Sequence, residues 1–212
     1  MTNRMNNHLA YPESVNLAEL RPQIFVIDMI NGFCKKGALA DPEIMNIVDP
    51  IIDLLDHCDP NDVTFIADTH QEGDLEFKAF PPHCLKGSEE VEIIDELKDY
   101  VKIPILEKST TNAFYELIKP DHQNLLERKE SDSYIVVGCC TDICVLQFAL
   151  GLRTWLNAVG QDKRILIPRN CSETYHSPVH DATHKNEEAC ALMKEAGIEI
   201  IDRIETRRND HE

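Results

Sequence analysis

Six short runs of mainly β-branched and apolar residues recur along this chain, and they read as continuous runs rather than alternating ones. They are Ile24-Phe-Val-Ile27, Val63-Thr-Phe-Ile-Ala67, Pro104-Ile-Leu106, Tyr134-Ile-Val-Val137, Arg164-Ile-Leu-Ile167 and Ile198-Glu-Ile-Ile201. A strand with one wet face alternates apolar and polar residues; a continuous run suits a strand buried on both faces. Between the runs, apolar residues recur at helical spacing. This predicts helices over 42–57, 91–100, 112–118, 121–129, 142–159 and 183–196, the last stopped by Gly197. Asp41 is positioned to cap the first helix and Pro42 to open it, while Pro50 implies a kink or a break. Strands that alternate with helices predict an α/β fold, a parallel sheet covered by helices on both faces. Residues 1–20 read as an irregular arm and 203–212 as a charged tail, within one domain spanning 1–212.

The chain has 212 residues, enough for a sizeable core, and a formal net charge of −17. That charge argues against nucleic acid or an anionic membrane surface as a partner. Met1 to Leu20 lacks the apolar stretch of a secretory signal, and no run reaches transmembrane length. The eight cysteines are too sparse for a disulfide framework and read as free thiols in a reducing cytoplasm. Neither G-x-G-x-x-G after a strand nor G-x-x-x-x-G-K-[ST] occurs, which argues against a nucleotide phosphate site.

Ligands of open α/β sheets bind outside the carboxyl ends of the strands. Asp28 follows the first run, Asp68 the second, Lys108 the third and Cys144 the fourth. Gly138 ends the fourth run, and Thr141 or Asp142 can cap a helix carrying Val145, Phe148, Ala149, Leu152 and Leu156 at helical spacing. Cys144 is then expected in the first turn of that helix. There, free N–H groups and the dipole favour a thiolate and can receive an oxyanion. Each residue also has an ordinary reading: cysteines pack as small hydrophobes, Asp28 caps a turn, and Lys108 is a solvated charge. Together they make a nucleophile, a base and an orienting cation, the logic of covalent hydrolysis. A second constellation, Asp68, His70, Glu76 and His83, lies on a polar loop running to about Glu89. Mixed imidazole and carboxylate donors suit one divalent metal ion, Zn first, with Fe, Mn or Co also compatible. Cys84 is adjacent and a further candidate ligand.

These residues carry a resemblance to the isochorismatase-like cysteine hydrolases, and within them to the nicotinamidase branch. It covers most of 22–203. It rests on Phe25-Val-Ile-Asp28-Met-Ile-Asn31-Gly-Phe33, on Asp68-Thr-His70 with Glu76 and Phe80-Pro-Pro-His83-Cys-Leu-Lys-Gly87, on Glu107-Lys108, and on Val137-Gly138-Cys-Cys-Thr141-Asp142-Ile-Cys144-Val145. The resemblance implies a six-stranded parallel sheet of order 3-2-1-4-5-6 and a triad of Asp28, Lys108 and Cys144. It also implies a cis peptide at Cys139-Cys140, with the N–H groups of Cys140 and Cys144 aimed at an oxyanion. The implied reaction is hydrolysis of nicotinamide to nicotinate and ammonia through a Cys144 thioester. The metal would orient the ring nitrogen or supply an activated water.

Two departures bear on the substrate. Where many nicotinamidases read Lys-x-x-Tyr-Ser-Ala-Phe, this chain reads Lys108-Ser-Thr-Thr111-Asn112-Ala113-Phe114, and Thr69 replaces a frequent tryptophan. Phe33 remains as the expected ring-stacking residue, with Thr111 and Asn112 beside it. Two other readings stay open. One is a related hydrolase of a carbamoyl, ureido or other small amide, which could use Thr111 and Asn112 as hydrogen-bond partners. The other is a metal-binding redox sensor built on Cys139, Cys140 and Cys144. The expected partners are a small amide and further copies of the chain.

Overall fold

All six runs become strands of one sheet in the computed structural model of the chain, which describes residues 11–126 and 130–206. In chain order the strands are β1 (Ser14–Asn16), β2 (Pro22–Ile27), β3 (Val63–Asp68), β4 (Leu106–Lys108), β5 (Ser133–Cys139), β6 (Arg164–Pro168), β7 (Ser172–Glu173), β8 (Glu199–Ile201) and β9 (Arg203–Glu205). The α-helices are α1 (Asn31–Cys34), α2 (Val48–Leu55), α3 (Phe114–Leu117), α4 (Leu146–Val159) and α5 (Ala182–Glu195).

The main sheet runs β4-β3-β2-β5-β6-β8, with every pair parallel. Counting the six expected strands alone, this is the order 3-2-1-4-5-6. A seventh, β7, was not expected. β6 pairs with β5 only as far as Ile135, and β7 takes its place beside Gly138 and Cys139. The continuous apolar runs are explained by two cores. Tyr134 and Val136 of β5 enter one core with Phe148 and Leu152 of α4, whereas Ile135 and Val137 enter the other with Ile51 and Leu54 of α2. Successive side chains of a strand point to opposite faces, so covering both faces removes the alternation.

The topology sets the place of the site. From β2 the chain builds outward through β3 and β4, and from β5 it builds the other way. The crevice at the carboxyl ends of β2 and β5 is therefore the switch point. The two strands approach closely there: a Cβ on Gly138, which has φ +113°, would sit 2.0 Å from the Ile27 carbonyl oxygen. Only glycine combines that conformation with that contact.

Several expected elements are corrected. The segment 42–57 is a 3-10 helix, Pro42–Ile47, followed by α2, so the break precedes Pro50. Pro50 then lies in the first turn of α2, where its missing N–H is tolerated. Asp41 does cap, accepting from Glu43 N–H. The helix expected over 91–100 is reduced to 3-10 turns at Glu89–Val91 and Asp95–Tyr100, and that over 112–118 to the single turn of α3. The segment 121–129 is a 3-10 helix, Pro120–Leu125; residues 127–129 lie outside those described. The third strand is shifted to Leu106–Lys108, which puts Lys108 inside it and in register with Asp68 of β3. The supposed arm and tail also meet, because β1 pairs in parallel with β9. Ser14 Oγ donates to Glu205 Oε1 at 2.5 Å, and Leu17 and Leu20 are buried. A short pair rich in polar side chains carries no strand signature in sequence. Among the described residues no helix is long and apolar enough to cross a membrane.

Candidate active site

Lys108 is the hub. Its ammonium is fully buried, 2.9 Å from Asp28 Oδ2, 2.8 Å from Asp68 Oδ1 and 3.7 Å from Cys144 Sγ. The three strands β2, β3 and β4 deliver the charged residues at one edge, and the turn after β5 delivers the thiol. Asp28 sits at φ +52°, in the left-handed region. Aspartate is one of the few non-glycine residues that enters this region, and it costs of order 1 kcal/mol there.

Cys144 does not open an α-helix. It lies in a π-helical turn, Thr141–Val145, that precedes α4, with Val145 N–H donating to the Cys140 carbonyl at 3.2 Å. Neither expected cap acts as one: Thr141 Oγ1 pairs with Ser172 Oγ at 3.0 Å, and Asp142 faces Thr174 and His180. Both side chains turn to the strand and loop that follow β6, elements absent from the local sequence pattern. The Cys139–Cys140 peptide is cis.

The electrostatics depart from the expectation of a resting thiolate. Burial pushes the Cys144 thiol well above its ordinary value, against the pull of Lys108. Burial also pushes the Asp28 carboxyl up, to about 6, although Lys108 and a hydrogen bond from Cys144 draw it down. Burial acts on Asp68 in the same sense, but Lys108, His70 and His83 outweigh it and hold that carboxyl well below the usual range. Lys108 itself is held in its charged form by Asp28 and Asp68 despite burial. Near neutral pH the group is a thiol, a carboxylate able to accept its proton, and an ammonium beside both.

Asp68, His70, Glu76 and His83 each direct one ligand atom to a common point, all within 4.8 Å of one another. Asp68 Oδ2 lies 3.1 Å from His70 Nε2 and 3.0 Å from His83 Nε2, and Glu76 Oε1 lies 3.8 Å from His70 Nε2. The far nitrogen of each imidazole is held in turn: His70 Nδ1 by Asp74 Oδ2 at 3.0 Å, His83 Nδ1 by the Pro81 carbonyl at 2.8 Å. Such outer partners fix ring orientation and present the Nε2 lone pair inward. Two imidazoles and two carboxylates oriented this way fit a divalent cation. Asp74 was missed in the sequence, although its spacing of four from His70 was visible. Cys84 is not in the group. Its backbone accepts from His70 N–H, and its thiol lies against Gly32, where a Cβ would come within 2.6 Å. Asp68 joins the two constellations, one oxygen on Lys108 and the other on the imidazoles.

Beside these residues is a cavity of about 270 Å³, lined by Cys140 and Cys144, by Asp68, Glu76 and His83, and by Phe33, Thr111 and Tyr175, among others. Its size suits a molecule smaller than the drug-sized ligands that fill roughly 300–1,000 Å³. Phe33 and Thr111 line it as expected. Asn112 does not: its Oδ1 accepts from Phe114 N–H at 3.0 Å, in the turn that leads into α3. Thr111 Oγ1 donates to Gln147 Oε1 at 2.9 Å, and Thr111 N–H donates to Glu76 Oε2 at 3.2 Å. Tyr175 was not singled out in the sequence, because a loop residue far along the chain reaches the cavity only through the fold. A larger cavity, about 670 Å³, opens at the amino ends of β2 and β3 beside Pro22 and Asp62. The reactive residues are at the opposite ends of these strands.

Residues 22–205 match the Isochorismatase domain family. Nicotinamidase 1 of Arabidopsis thaliana is 28% identical over 177 residues, covering 75% of this chain and 72% of that protein. The crystal structure of nicotinamidase PncA from Bacillus subtilis is similar at TM-score 0.64 and 26% identity, covering 84% of this chain and 97% of that one. The crystal structure of N-carbamoylsarcosine amidase from Thermoplasma acidophilum shares the fold, at TM-score 0.65 and 23% identity over 90% and 99% of the two chains.

Proposed function

The chain belongs to the isochorismatase family, and we propose from that premise that it is a cysteine amidohydrolase of nicotinamidase type, releasing ammonia from a small carboxamide. The observation that carries the reading is the buried Lys108 ammonium, in contact with Asp28 and with Asp68 and Cys144, the last two of which line a small cavity. Asp28 accepts the Cys144 proton as the sulfur attacks the amide carbon. The proton moves within the site, so its total charge is unchanged and Lys108 faces the new thiolate. The oxygen of the tetrahedral intermediate is received by the N–H groups of Cys140 and Cys144. Collapse breaks the C–N bond, and Asp28 returns its proton to the departing ammonia. Asp28 then deprotonates the water that hydrolyses the thioester, which frees the acid and regenerates the Cys144 thiol. A divalent cation held by Asp68, His70, Glu76 and His83 would supply a Lewis-acid centre at the cavity wall.

Nicotinamide is the first substrate to test, since Phe33 lines the cavity and the Arabidopsis relative is a nicotinamidase. A carbamoyl or ureido compound is the second, because Thr111 presents no ring where the branch carries tyrosine. The experiment is ammonia release by the metal-loaded protein from a panel of these amides. Turnover of nicotinamide supports the reading; turnover of ureido compounds alone moves the second substrate class first; no turnover of any amide removes the activity.

A further inference from the structure

One wall of the cavity is made by a residue that the proposed chemistry does not use. Tyr175 lies between β7 and α5 and lines the cavity with Phe33 and Cys144. Its ring stacks on that of His180, with centroids 3.9 Å apart and planes 10° from parallel. His180 is fixed at both ring nitrogens: Nδ1 lies 2.8 Å from the Tyr175 carbonyl oxygen, and Nε2 2.8 Å from Asp142 Oδ2. Asp142 also accepts from Thr174 Oγ1 at 2.6 Å. It belongs to the same π turn as Cys144. The Tyr175 ring is therefore tied, through one imidazole and one carboxylate, to the turn that carries the nucleophile. With one face covered by His180, its other face and edge are what it offers the cavity.

Thr111, by contrast, has its hydroxyl directed to Gln147 and brings no ring. We infer that Tyr175 is a specificity-determining residue, the ring wall for a flat, ring-bearing primary amide, with His180 and Asp142 as positioning residues that hold it. The inference rests on the amidohydrolase reading for the identity of the reacting group. Its physical basis is separate: aromatic rings prefer offset or edge contacts that contribute beyond burial, and a ring already held costs little further ordering when a substrate stacks on it.

The test measures binding and turnover separately. Nicotinamide and acetamide are titrated by calorimetry into the metal-loaded Cys144→Ala protein carrying Tyr175, Tyr175→Phe or Tyr175→Leu, and the same Tyr175 variants are assayed with Cys144 intact. Leucine keeps apolar bulk and removes the ring, and circular dichroism confirms the fold. Tyr175→Leu is expected to weaken nicotinamide binding about five- to tenfold and leave acetamide unchanged, with Tyr175→Phe within about twofold of the parent. In the active protein KM for nicotinamide should rise by the same factor, with kcat little changed. His180→Ala should shift KM in the same direction by less. Unchanged nicotinamide binding in Tyr175→Leu, an equal loss for acetamide, failure of phenylalanine to preserve binding, or no nicotinamide binding with Tyr175 in place would each overturn the inference. Ring-selective binding without ammonia release in the intact protein would instead overturn the amidohydrolase reading and leave Tyr175 as a ring wall.

Discussion

Replacing Lys108 by methionine keeps most of the side-chain volume and removes the ammonium that faces both Asp28 and Asp68. Both carboxylates are buried and lie 2.9 and 2.8 Å from the ammonium. Breaking a buried pair by deleting one partner costs about 3–5 kcal/mol, because the remaining charge is left uncompensated. The predicted loss at pH 7, measured by urea denaturation of chelator-treated protein, is therefore about 3–5 kcal/mol relative to wild type. The pH dependence gives a sharper check. Burial raises Asp28 in the folded protein from 3.8 to about 6, so its contribution to stability is present at low pH and is lost as pH rises through about 6. Without Lys108 the carboxyl rises further and stays protonated to higher pH, so the variant gains more from acidification than wild type does. The gap between variant and wild type should then narrow, by on the order of 1 kcal/mol, on going from pH 7 to pH 5. A loss below about 1 kcal/mol at pH 7, or a gap that widens toward pH 5, would refute the picture of one buried ammonium neutralising two carboxylates.

The same carboxyl sets the acid limb of activity. Since Asp28 must be ionised to accept the thiol proton, kcat/KM should fall tenfold per pH unit below about 6, and Asp28→Asn should abolish turnover at every pH; a limb near 4 would contradict the buried base. Metal removal should abolish activity without unfolding the chain: chelation, or His70→Ala with His83→Ala, should leave a cooperative melt, because the two apolar cores are built without those residues. A chelated protein that is unfolded by circular dichroism would assign the cation to stability instead.

What was legible in the sequence follows from how local each signal is. The main strands and their class were readable because burial on both faces writes a continuous apolar run into each one. Asp28, Asp68 and Lys108 were findable because each sits at a strand end, and the Asp68, His70, Glu76 and His83 group because its members share one loop. The π turn at Cys144 was not, since Val145, Phe148 and Leu152 keep helical spacing whichever way the preceding turn is wound. Short 3-10 segments such as Asp95–Tyr100 imitate a helix because Ile94 and Leu97, three residues apart, are both buried. The β1–β9 pair joins residues some 190 positions apart, and the Asn112 side chain is taken up by the Phe114 N–H of its own turn. The thiol's protonation was misjudged for a different reason: burial is a tertiary quantity, and at Cys144 it outweighs the lowering by Lys108.

The account turns on Cys144 as the atom that attacks the amide. The most direct measurement is ammonia release from nicotinamide by the reduced, metal-loaded protein, with Cys144→Ser and Cys139→Ser as folded controls. The thiol of Cys139 points away from the cavity, 3.2 Å from the Asp28 carbonyl, whereas Cys144 lines it. Turnover in wild type, most of it retained in Cys139→Ser and none in Cys144→Ser, is the predicted result. Equal losses in the two variants, or undiminished turnover in Cys144→Ser, would contradict it.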